Sequence, residues 1–274
     1  MIISVASGKG GTGKTTIAVN LALSLENVQL LDCDVEEPNA HIFLKPEITD
    51  RETCSVLVPE IDKEKCNYCG KCSQICEFNA IAVFNNNAII FQELCHSCGL
   101  CSLACPEKAI TEREREIGIV EKGISNGIEF VHGILNPGEI ISPPLISAVK
   151  DKINRDKTVI IDAPPGTSCP VIEAIYNSDF CLLVTEPTPF GLYDLRLAVG
   201  VLKKLGIPFG VVINREGIPY REVEKFCTKR KIPVLLRISY SQRIAELYSR
   251  GIPFVLEMPE WKEKFMDIFD RING

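Results

Sequence analysis

Short runs of consecutive apolar residues alternate with amphipathic segments along most of this chain. An unbroken apolar run of five or six residues is typical of a strand buried on both faces, whereas apolar positions three and four apart indicate a helix. Their alternation predicts an α/β fold, a mostly parallel, doubly wound sheet covered by helices. The predicted strands are Ile2–Ala6, Val28–Asp32, Thr158–Asp162, Phe180–Thr185, Phe209–Ile213 and Ile232–Leu236, and the predicted helices are Thr15–Leu25, Leu192–Leu205 and Tyr220–Lys229.

A block with a different pattern interrupts this series. Four cysteines recur as four further cysteines 29 residues later, and the pair Ala80-Ile81 recurs at the same offset as Ala109-Ile110. A fixed offset held over six positions indicates a duplicated half. We therefore predict an inserted domain at residues 60–113, within a discontinuous main domain formed by residues 1–59 and 114–274.

Composition and charge narrow the classes of function. The 274 residues are 46% hydrophobic and 24% charged, which is typical of a globular protein, and the net charge of −6 does not suit a nucleic-acid-binding surface. No apolar run reaches the roughly 18 residues of a membrane span, and the N-terminus lacks the pattern of a signal peptide, so we expect a cytoplasmic protein. Eight of thirteen cysteines lie between Cys66 and Cys105. In a cytoplasmic protein such a cluster indicates metal binding rather than disulfides.

The segment Gly8–Thr15, with the sequence GKGGTGKT, fits the phosphate-binding loop pattern G-x-x-x-x-G-K-[ST]. It follows a predicted strand and opens a predicted helix, as the motif requires. Glycines let backbone amides approach phosphate oxygens, Lys14 would reach the β- and γ-phosphates, and the Thr15 hydroxyl would bind Mg²⁺. The predicted phosphate-binding residues are Gly8, Lys9, Gly10, Gly11, Thr12, Gly13, Lys14, Thr15 and Thr16.

A second lysine, Lys9, directly after the first glycine gives the loop its deviant form. With this feature the chain resembles the P-loop ATPases that include the nitrogenase iron protein, MinD, ParA and Mrp. In that group this lysine reaches across a dimer interface to the partner's nucleotide. The resemblance therefore implies that Lys9 is catalytic and that the chain dimerises, with itself or with a close homologue. By itself, Lys9 is equally compatible with a solvated loop charge.

Four further positions match this group. Asp34, at the end of the second strand, would orient or deprotonate the attacking water, and Asp32 would support the metal shell, although strand-end carboxylates can also be simple caps. Asp162 resembles the Walker B aspartate, and Gly166 would let the backbone approach the γ-phosphate. The resemblance thus implies catalysis by Lys9, Lys14, Asp34 and Asp162, and a Mg²⁺ site formed by Thr15, Asp34 and Asp162.

One strand end is the candidate for binding the adenine base. Asn214 closes the segment Val211–Asn214, which resembles the adenine-reading strand of the group. Its amide offers both a donor and an acceptor, which suits the adenine edge. The following strand end, Arg237–Tyr240, is a further candidate for closing the pocket.

The cysteine block carries the bacterial ferredoxin spacing twice, with Cys-Pro at the end of the second run only and Glu77 in place of proline in the first. It resembles a two-cluster ferredoxin, an α+β domain in which each run gives its fourth cysteine to the other cluster. The alternative is zinc, which does not explain four cysteines at fixed, duplicated offsets. The resemblance implies one 4Fe–4S cluster on Cys66, Cys69, Cys72 and Cys105, and another on Cys95, Cys98, Cys101 and Cys76.

The remaining cysteines, Cys33, Cys54, Cys169, Cys181 and Cys227, are expected to pack in the core. Cys169 has the spacing from Asp162 of a bridging cluster ligand in the nitrogenase iron protein, but no second cysteine occurs in residues 123–138. The C-terminal segment has helical spacing and a neutral polar face. We therefore expect it to pack on the domain rather than bind a membrane.

These patterns together predict a slow, partner-stimulated, Mg²⁺-dependent ATPase with ATP, Mg²⁺ and two 4Fe–4S clusters. Its first expected use is iron–sulfur or metallocofactor assembly with a cofactor-accepting protein. The alternatives are an ATP-gated reductase for a redox partner and a MinD-like positioning ATPase. We favour assembly because a bridging thiol is missing and because the Mrp group works there, which is an argument by analogy.

Overall fold

The computed structural model describes residues 1–217 and 219–274. Nine strands form one sheet in the order β11-β10-β9-β1-β8-β2-β7-β6-β3, and two form a separate hairpin, β4-β5. The strands are β1 (Ile2–Ala6), β2 (Val28–Asp32), β3 (Glu47–Ile61), β4 (Ile81–Phe84), β5 (Asn87–Ile90), β6 (Ile110–Ser125), β7 (Ile128–Leu135), β8 (Thr158–Asp162), β9 (Phe180–Thr185), β10 (Phe209–Glu216) and β11 (Val234–Ser239).

Helices cover both faces of the large sheet. They are α1 (Lys14–Ser24), α2 (Ala40–Leu44), α3 (Lys71–Ile75), α4 (Leu100–Leu103), α5 (Pro143–Lys150), α6 (Cys169–Ile175), α7 (Pro189–Leu205), α8 (Glu222–Arg230), α9 (Gln242–Ser249), α10 (Phe254–Glu257) and α11 (Glu260–Asn273), with a 3₁₀ turn at Gln92–Leu94.

The strands from β11 to β7 are parallel, which confirms the α/β architecture with a mostly parallel sheet. Four predicted strands have the predicted bounds, and β10 extends three residues further. The last strand was predicted to begin at Ile232 but begins at Val234. The strand starts later because Pro233 lacks the backbone N–H that pairing within a sheet requires. The predicted helices correspond to α1, α7 and α8, with ends shifted by up to three residues.

The strands β3, β6 and β7 were not predicted. β6 pairs antiparallel with both β7 and β3, so one side of the sheet ends in an antiparallel extension. Most of β3 is solvent-exposed. An exposed strand carries no continuous apolar run, so the pattern that identifies buried parallel strands does not detect it.

The hairpin of β3 and β6 extends past the rest of the sheet. β7 flanks β6 only as far as the pair Gly118–Leu135, whereas β3 and β6 stay paired to Ile61 and Ile110. Residues 55–61 and 110–117 therefore form a two-stranded arm, which at about 3.3 Å per residue is roughly 23 Å long. Leu135 ends a strand parallel to β2. The arm thus projects from the edge at which the parallel strands end.

The cysteine block lies at the tip of this arm, in residues 62–109. The repeat in sequence is also a repeat in structure, because Cys76 Sγ accepts the Ala80 N–H and Cys105 Sγ accepts the Ala109 N–H, both at 3.3 Å. The backbone closes on itself where the Asp62 N–H donates to the Ala109 carbonyl at 2.8 Å. The predicted domain limits, 60 and 113, fall inside β3 and β6.

The C-terminal helix α11 packs on the main domain, as expected. Trp261, Phe265 and Ile268 are buried in the apolar layer that also holds α1. In the described part of the chain, no helix has both the length and the apolar character that crossing a membrane requires.

Candidate functional site

The phosphate loop connects β1 to α1 at the centre of the sheet. Gly13 has a φ of +93°, and a Cβ there would lie 2.5 Å from Nδ2 of Asn214. A Cβ on Gly8 would lie 2.4 Å from the Asp194 carbonyl oxygen. Both positions therefore require glycine. The loop leads straight into α1, whose first N–H groups and positive dipole end favour an anion.

A cavity of ≈ 330 Å³ opens in front of this loop. That volume is within the range of small-molecule sites. The loop contributes Gly10, Gly11, Gly13, Lys14, Thr15 and Thr16, and the strand ends contribute Asp34 and Asn214. Four other predicted site residues, Gly8, Lys9, Thr12 and Asp162, lie outside its lining.

Two carboxylates stand side by side beneath the loop, since Asp32 on β2 pairs in register with Asp162 on β8. Both are fully buried. The oxygens of Asp32 accept hydrogen bonds from the amides of Asp34, Asn39 and Ala40, at 2.9–3.1 Å. Asp32 therefore holds the segment after β2 in place, and this segment carries Asp34.

Neither oxygen of Asp162 has a hydrogen-bond partner among the residues that the structure describes. Burial, followed by the charge of Asp32, raises the pKa of Asp162 well above its usual value. The same two causes raise the pKa of Asp34 to about 7. An unpartnered buried carboxylate is costly unless a cation joins it. The oxygen donors of Thr15, Asp34 and Asp162 therefore fit Mg²⁺, which prefers hard oxygen ligands.

Lys9 does not face the cavity. Its Nζ lies 3.4 Å from Oε2 of Glu186 in the same chain, and Nη1 of Arg215 lies 2.5 Å from Oε1 of that carboxylate. About a third of the Lys9 side chain remains exposed. Glu186 follows the end of β9, so this shared ion pair ties the phosphate loop to the neighbouring strand end.

The Asn214 amide is committed to the loop. Its Nδ2 donates to the Thr12 carbonyl at 2.8 Å, and its Oδ1 accepts the N–H of Arg215 at 2.9 Å. Ser239 and Tyr240 line the same end of the cavity, as the Arg237–Tyr240 segment suggested. Beside them lies an apolar wall formed by Ile238 of the same segment and by Ile244, Ala245, Tyr248 and Phe254, and sequence reasoning missed these last four residues. The wall comes from three separate elements, and no local motif connects them.

The eight clustered cysteines line two cavities at the tip of the arm. Each cavity takes three cysteines from one run and the fourth from the other, which is the division that the ferredoxin resemblance implies. The first is lined by Cys66, Cys69, Cys72 and Cys105, and the second by Cys76, Cys95, Cys98 and Cys101.

These cysteines surround space instead of meeting at a point. Within residues 1–217 and 219–274, no group of three or more His, Cys, Asp or Glu side chains is placed to hold a single metal ion. A cluster of four irons is larger than one ion, and its ligands are thiolates. Burial raises the pKa of the Cys72 and Cys95 thiols, and that of Cys101 to about 11. The thiol donor sets fit a cluster, whose binding would displace these protons.

The other cysteines follow expectation with one exception. Cys33, Cys181 and Cys227 are buried and Cys54 is half-buried. Cys169 is exposed at the first residue of α6, so the expectation that it packs in the core was wrong. It lies in the segment that follows Asp162, beyond the end of β8 and outside the core.

Hydrogen bonds connect the Asp34 segment to the base of the arm. The Val35 carbonyl accepts the N–H of Leu135 at 2.9 Å, and the next N–H, of Asn136, donates to the Ile117 carbonyl at 2.9 Å. Ile117 is the last residue of the arm on β6. Two consecutive backbone hydrogen bonds therefore connect the segment after β2 to the arm.

A second connection passes through side chains. Ser142 donates to Oε1 of Glu36 at 3.0 Å, and nearby Glu139 forms a largely buried ion pair with Arg115 of the arm.

Comparison with known proteins agrees with this geometry. The family model CbiA, described as the CobQ/CobB/MinD/ParA nucleotide binding domain, matches residues 3–254. An uncharacterized protein of Methanocaldococcus jannaschii is 35% identical, over 93% of this chain and 91% of the relative. A Pyrococcus horikoshii protein named iron-sulfur cluster carrier protein is 24% identical, over 98% of this chain and 84% of its own.

Among solved structures, the septum site-determining protein MinD of Pyrococcus horikoshii, complexed with Mg-ADP, has a similar fold. Its TM-score is 0.60 at 22% identity, and the match covers 100% of this chain and 96% of that one.

Proposed function

The chain belongs to the CobQ/CobB/MinD/ParA family of nucleotide-binding domains, and from this premise we propose that it hydrolyses Mg-ATP to drive a conformational switch linked to two 4Fe–4S clusters. The switch serves the assembly of iron–sulfur clusters or other metallocofactors. The chain acts in the cytoplasm, where reduced thiols persist, and passes its cargo to an acceptor protein.

The nucleotide chemistry depends on the loop and on three carboxylates. Lys14 binds the β- and γ-phosphates, and Thr15, Asp34 and Asp162 hold Mg²⁺, which neutralises charge on the phosphates. Asp34 orients the attacking water and accepts its proton.

Lys9 acts in trans. In the single chain it pairs with Glu186, which keeps a second partner in Arg215. When two copies close around two ATP molecules, Lys9 leaves Glu186 for the partner's nucleotide, and Arg215 continues to balance the carboxylate. Hydrolysis is slow until closure and partner binding complete the site.

The iron–sulfur clusters occupy the two cysteine cavities. The inserted ferredoxin-like domain at residues 60–113 supplies both ligand sets, Cys66, Cys69, Cys72 and Cys105 for one cluster and Cys95, Cys98, Cys101 and Cys76 for the other. The main domain, residues 1–59 and 114–274, binds ATP.

One observation carries the proposed switch that serves assembly. The arm with the cysteine cavities projects from the edge of the sheet that holds the nucleotide cavity, and hydrogen bonds join it to the Asp34 segment through Leu135 and Asn136. A change at the nucleotide can thus alter how the clusters are held. Relatives of similar length support the same use, since they are named iron-sulfur cluster carrier proteins.

The test follows iron under anaerobic conditions. The purified protein should hold about eight irons, four for each of two clusters. We expect Mg-ATP or a non-hydrolysable analogue, but not Mg-ADP, to make part of this iron available to a chelator and transferable to an apo-ferredoxin. Iron that stays bound in all states would contradict assembly and favour an ATP-gated reductase, for which the next measurement is the reduction potential with and without ATP.

A further inference from the structure

A row of polar side chains crosses five neighbouring strands at one register. The row is built from paired positions, Asp162 with Asp32, Asp32 with His132, His132 with Glu121, and Glu121 with Arg51. Paired residues on adjacent strands project from the same face of a sheet. The row therefore runs from the nucleotide site to the hairpin that becomes the arm.

The burial of this row is unusual for charged groups. Asp162, Asp32, His132 and Glu121 are each at most 5% exposed, and only Arg51, at the outer end, reaches solvent. Charged side chains are rarely buried without partners, because taking a charge out of water is costly. Within the row, direct hydrogen bonds join His132 to Glu121 and Glu121 to Arg51.

In the outer half of the row, Glu121 contacts both His132 and Arg51. Nε2 of His132 lies 2.8 Å from Oε2 of Glu121, and Nε of Arg51 donates to Oε1 of Glu121 at 2.7 Å. Burial by itself raises the pKa of the Glu121 carboxyl. The two hydrogen bonds outweigh burial and hold this pKa below its usual value. Glu121 is therefore a charged bridge between β7 and β3.

The inner half reaches the Asp34 segment. His132 stands beside Asp32 in register, and its ring centroid lies 5.4 Å from that of His41 on α2. Asp32 accepts the amides of Asp34 and Ala40, the first residue of α2. His132 therefore touches the same segment that Asp32 holds, and any displacement of that segment must repack against the His132 ring.

We propose that His132 and Glu121 are positioning residues that couple nucleotide occupancy beside Asp34 to the pose of the arm and its cysteine cavities. This inference rests on the proposed function, because it assumes that nucleotide moves the Asp34 segment. The displacement passes from Asp32 and His41 to His132, from there to Glu121, and through Arg51 to β3. The backbone hydrogen bonds at Leu135 and Asn136 connect the Asp34 segment to β6. The row connects the same segment to β3, which is the other strand of the hairpin.

The experiment measures amide hydrogen exchange of residues 55–61 and 110–117 in the full-length protein, with and without a Mg²⁺-bound non-hydrolysable ATP analogue. In the parent protein we expect the analogue to change exchange in the arm by about threefold or more, within the range of local opening equilibria. Glu121→Gln should reduce this response to less than half while binding of the analogue persists. Arg51→Gln should do the same, and Arg51→Lys should restore it.

A matched control lies one residue away. Glu52 is more exposed than Glu121 but also forms ion pairs, with Lys122 at 3.6 Å and with Lys152, on the opposite face of β3. Glu52→Gln removes an equal charge from the same hairpin outside the row, and it should leave the response of the arm intact. Because Arg51 is exposed, its variants keep the test valid even where Glu121→Gln does not fold.

The outcomes separate this inference from the proposed function. A parent protein that binds the analogue without any response in the arm would overturn the proposed switch, and the coupling with it. A full response in folded Glu121→Gln or Arg51→Gln, or an equal loss in Glu52→Gln, would overturn the coupling alone. A parent protein that does not bind the analogue would overturn the proposed function, and the coupling with it.

Discussion

Asn214, which lines the nucleotide cavity, donates a hydrogen bond of 2.8 Å from its side-chain amide to the backbone carbonyl of Thr12 in the phosphate loop. The strand end that is expected to read adenine thereby also holds the phosphate loop. Gly13 makes this contact possible, since its positive φ and missing Cβ leave room for the amide. A direct hydrogen bond therefore joins the two ends of the site in the absence of any ligand.

The first prediction concerns this contact. Gly13→Ala places a methyl group 2.5 Å from the Asn214 amide in a backbone conformation that alanine avoids. We expect a loss of roughly 1–3 kcal/mol in the free energy of unfolding, the usual cost of such strain. Denaturant unfolding of the nucleotide-free protein measures it. Gly10→Ala is the matched control, because a Cβ there meets no described atom within 4 Å. Equal losses in both variants would show that the contact does not matter.

The second prediction concerns pH. The folded-state pKa of Asp34 is about 7, above the value of about 4 in an unfolded chain, so the folded protein holds this proton more tightly. Stability from this group is therefore present at low pH and lost as pH rises from about 4 through 7. Asp34→Asn, which is always neutral, should be more stable than the parent at pH 8, on the order of 1–2 kcal/mol after allowance for partial exposure.

The measurement is unfolding at pH 5 and pH 8 with a chelator present and nucleotide absent. The advantage of Asp34→Asn should be larger at pH 8, while its ATPase activity is lost. Asp179→Asn is the control, because that residue lies at the opposite end of the sheet, where it accepts the Ile2 N–H. An advantage that is independent of pH would refute the assignment of the raised pKa to Asp34.

The sequence predicts the parallel half of this molecule far better than the antiparallel half. Ile2–Ala6 and Thr158–Asp162 are buried on both faces along most of their length, so most of their residues are apolar and they are easy to identify. β3 is solvent-exposed along most of its length and resembles a polar loop. The arm exists because β3 and β6 remain paired beyond the end of β7. This difference in strand length depends on tertiary structure, and no local sequence pattern contains it.

The site shows the same division. Motif residues such as Lys14 and Asp34 converge on one cavity because they follow β1 and β2, parallel strands that end at the same edge of the sheet with β8 between them. The polar row was invisible from sequence, since Glu121 and His132 become neighbours only through strand register.

The third prediction concerns Lys9 and Glu186. Lys9→Ala should bind Mg-ATP as a single chain but fail to dimerise, because the partner's nucleotide loses its contact in trans. Glu186→Gln releases Lys9 from its pair within the chain and should dimerise at lower protein concentration than the parent, by about threefold for a pair of this exposure. Light scattering with a non-hydrolysable ATP analogue measures both. Dimerisation of Lys9→Ala at the parent concentration would contradict the proposed role.

The fourth prediction tests how the cysteines are shared. The cavities group Cys66 with Cys105, and Cys76 with Cys95. If each cavity holds one cluster, the double variant Cys66→Ser/Cys105→Ser damages a single cluster and should retain about four of eight irons. The double variant Cys66→Ser/Cys76→Ser damages both clusters and should retain almost none.

The two double variants remove the same number of thiols, so they control for each other. Iron and acid-labile sulfide are counted after anaerobic reconstitution, and visible absorbance gives a second readout of cluster content. Clusters built from one run each would give the reverse result, because Cys66 and Cys76 belong to the first run while Cys105 belongs to the second. Cys181→Ser, at a buried thiol far from the arm, should keep the full iron content. The reverse pattern would exclude the interleaved ligand sets without affecting the evidence for nucleotide binding.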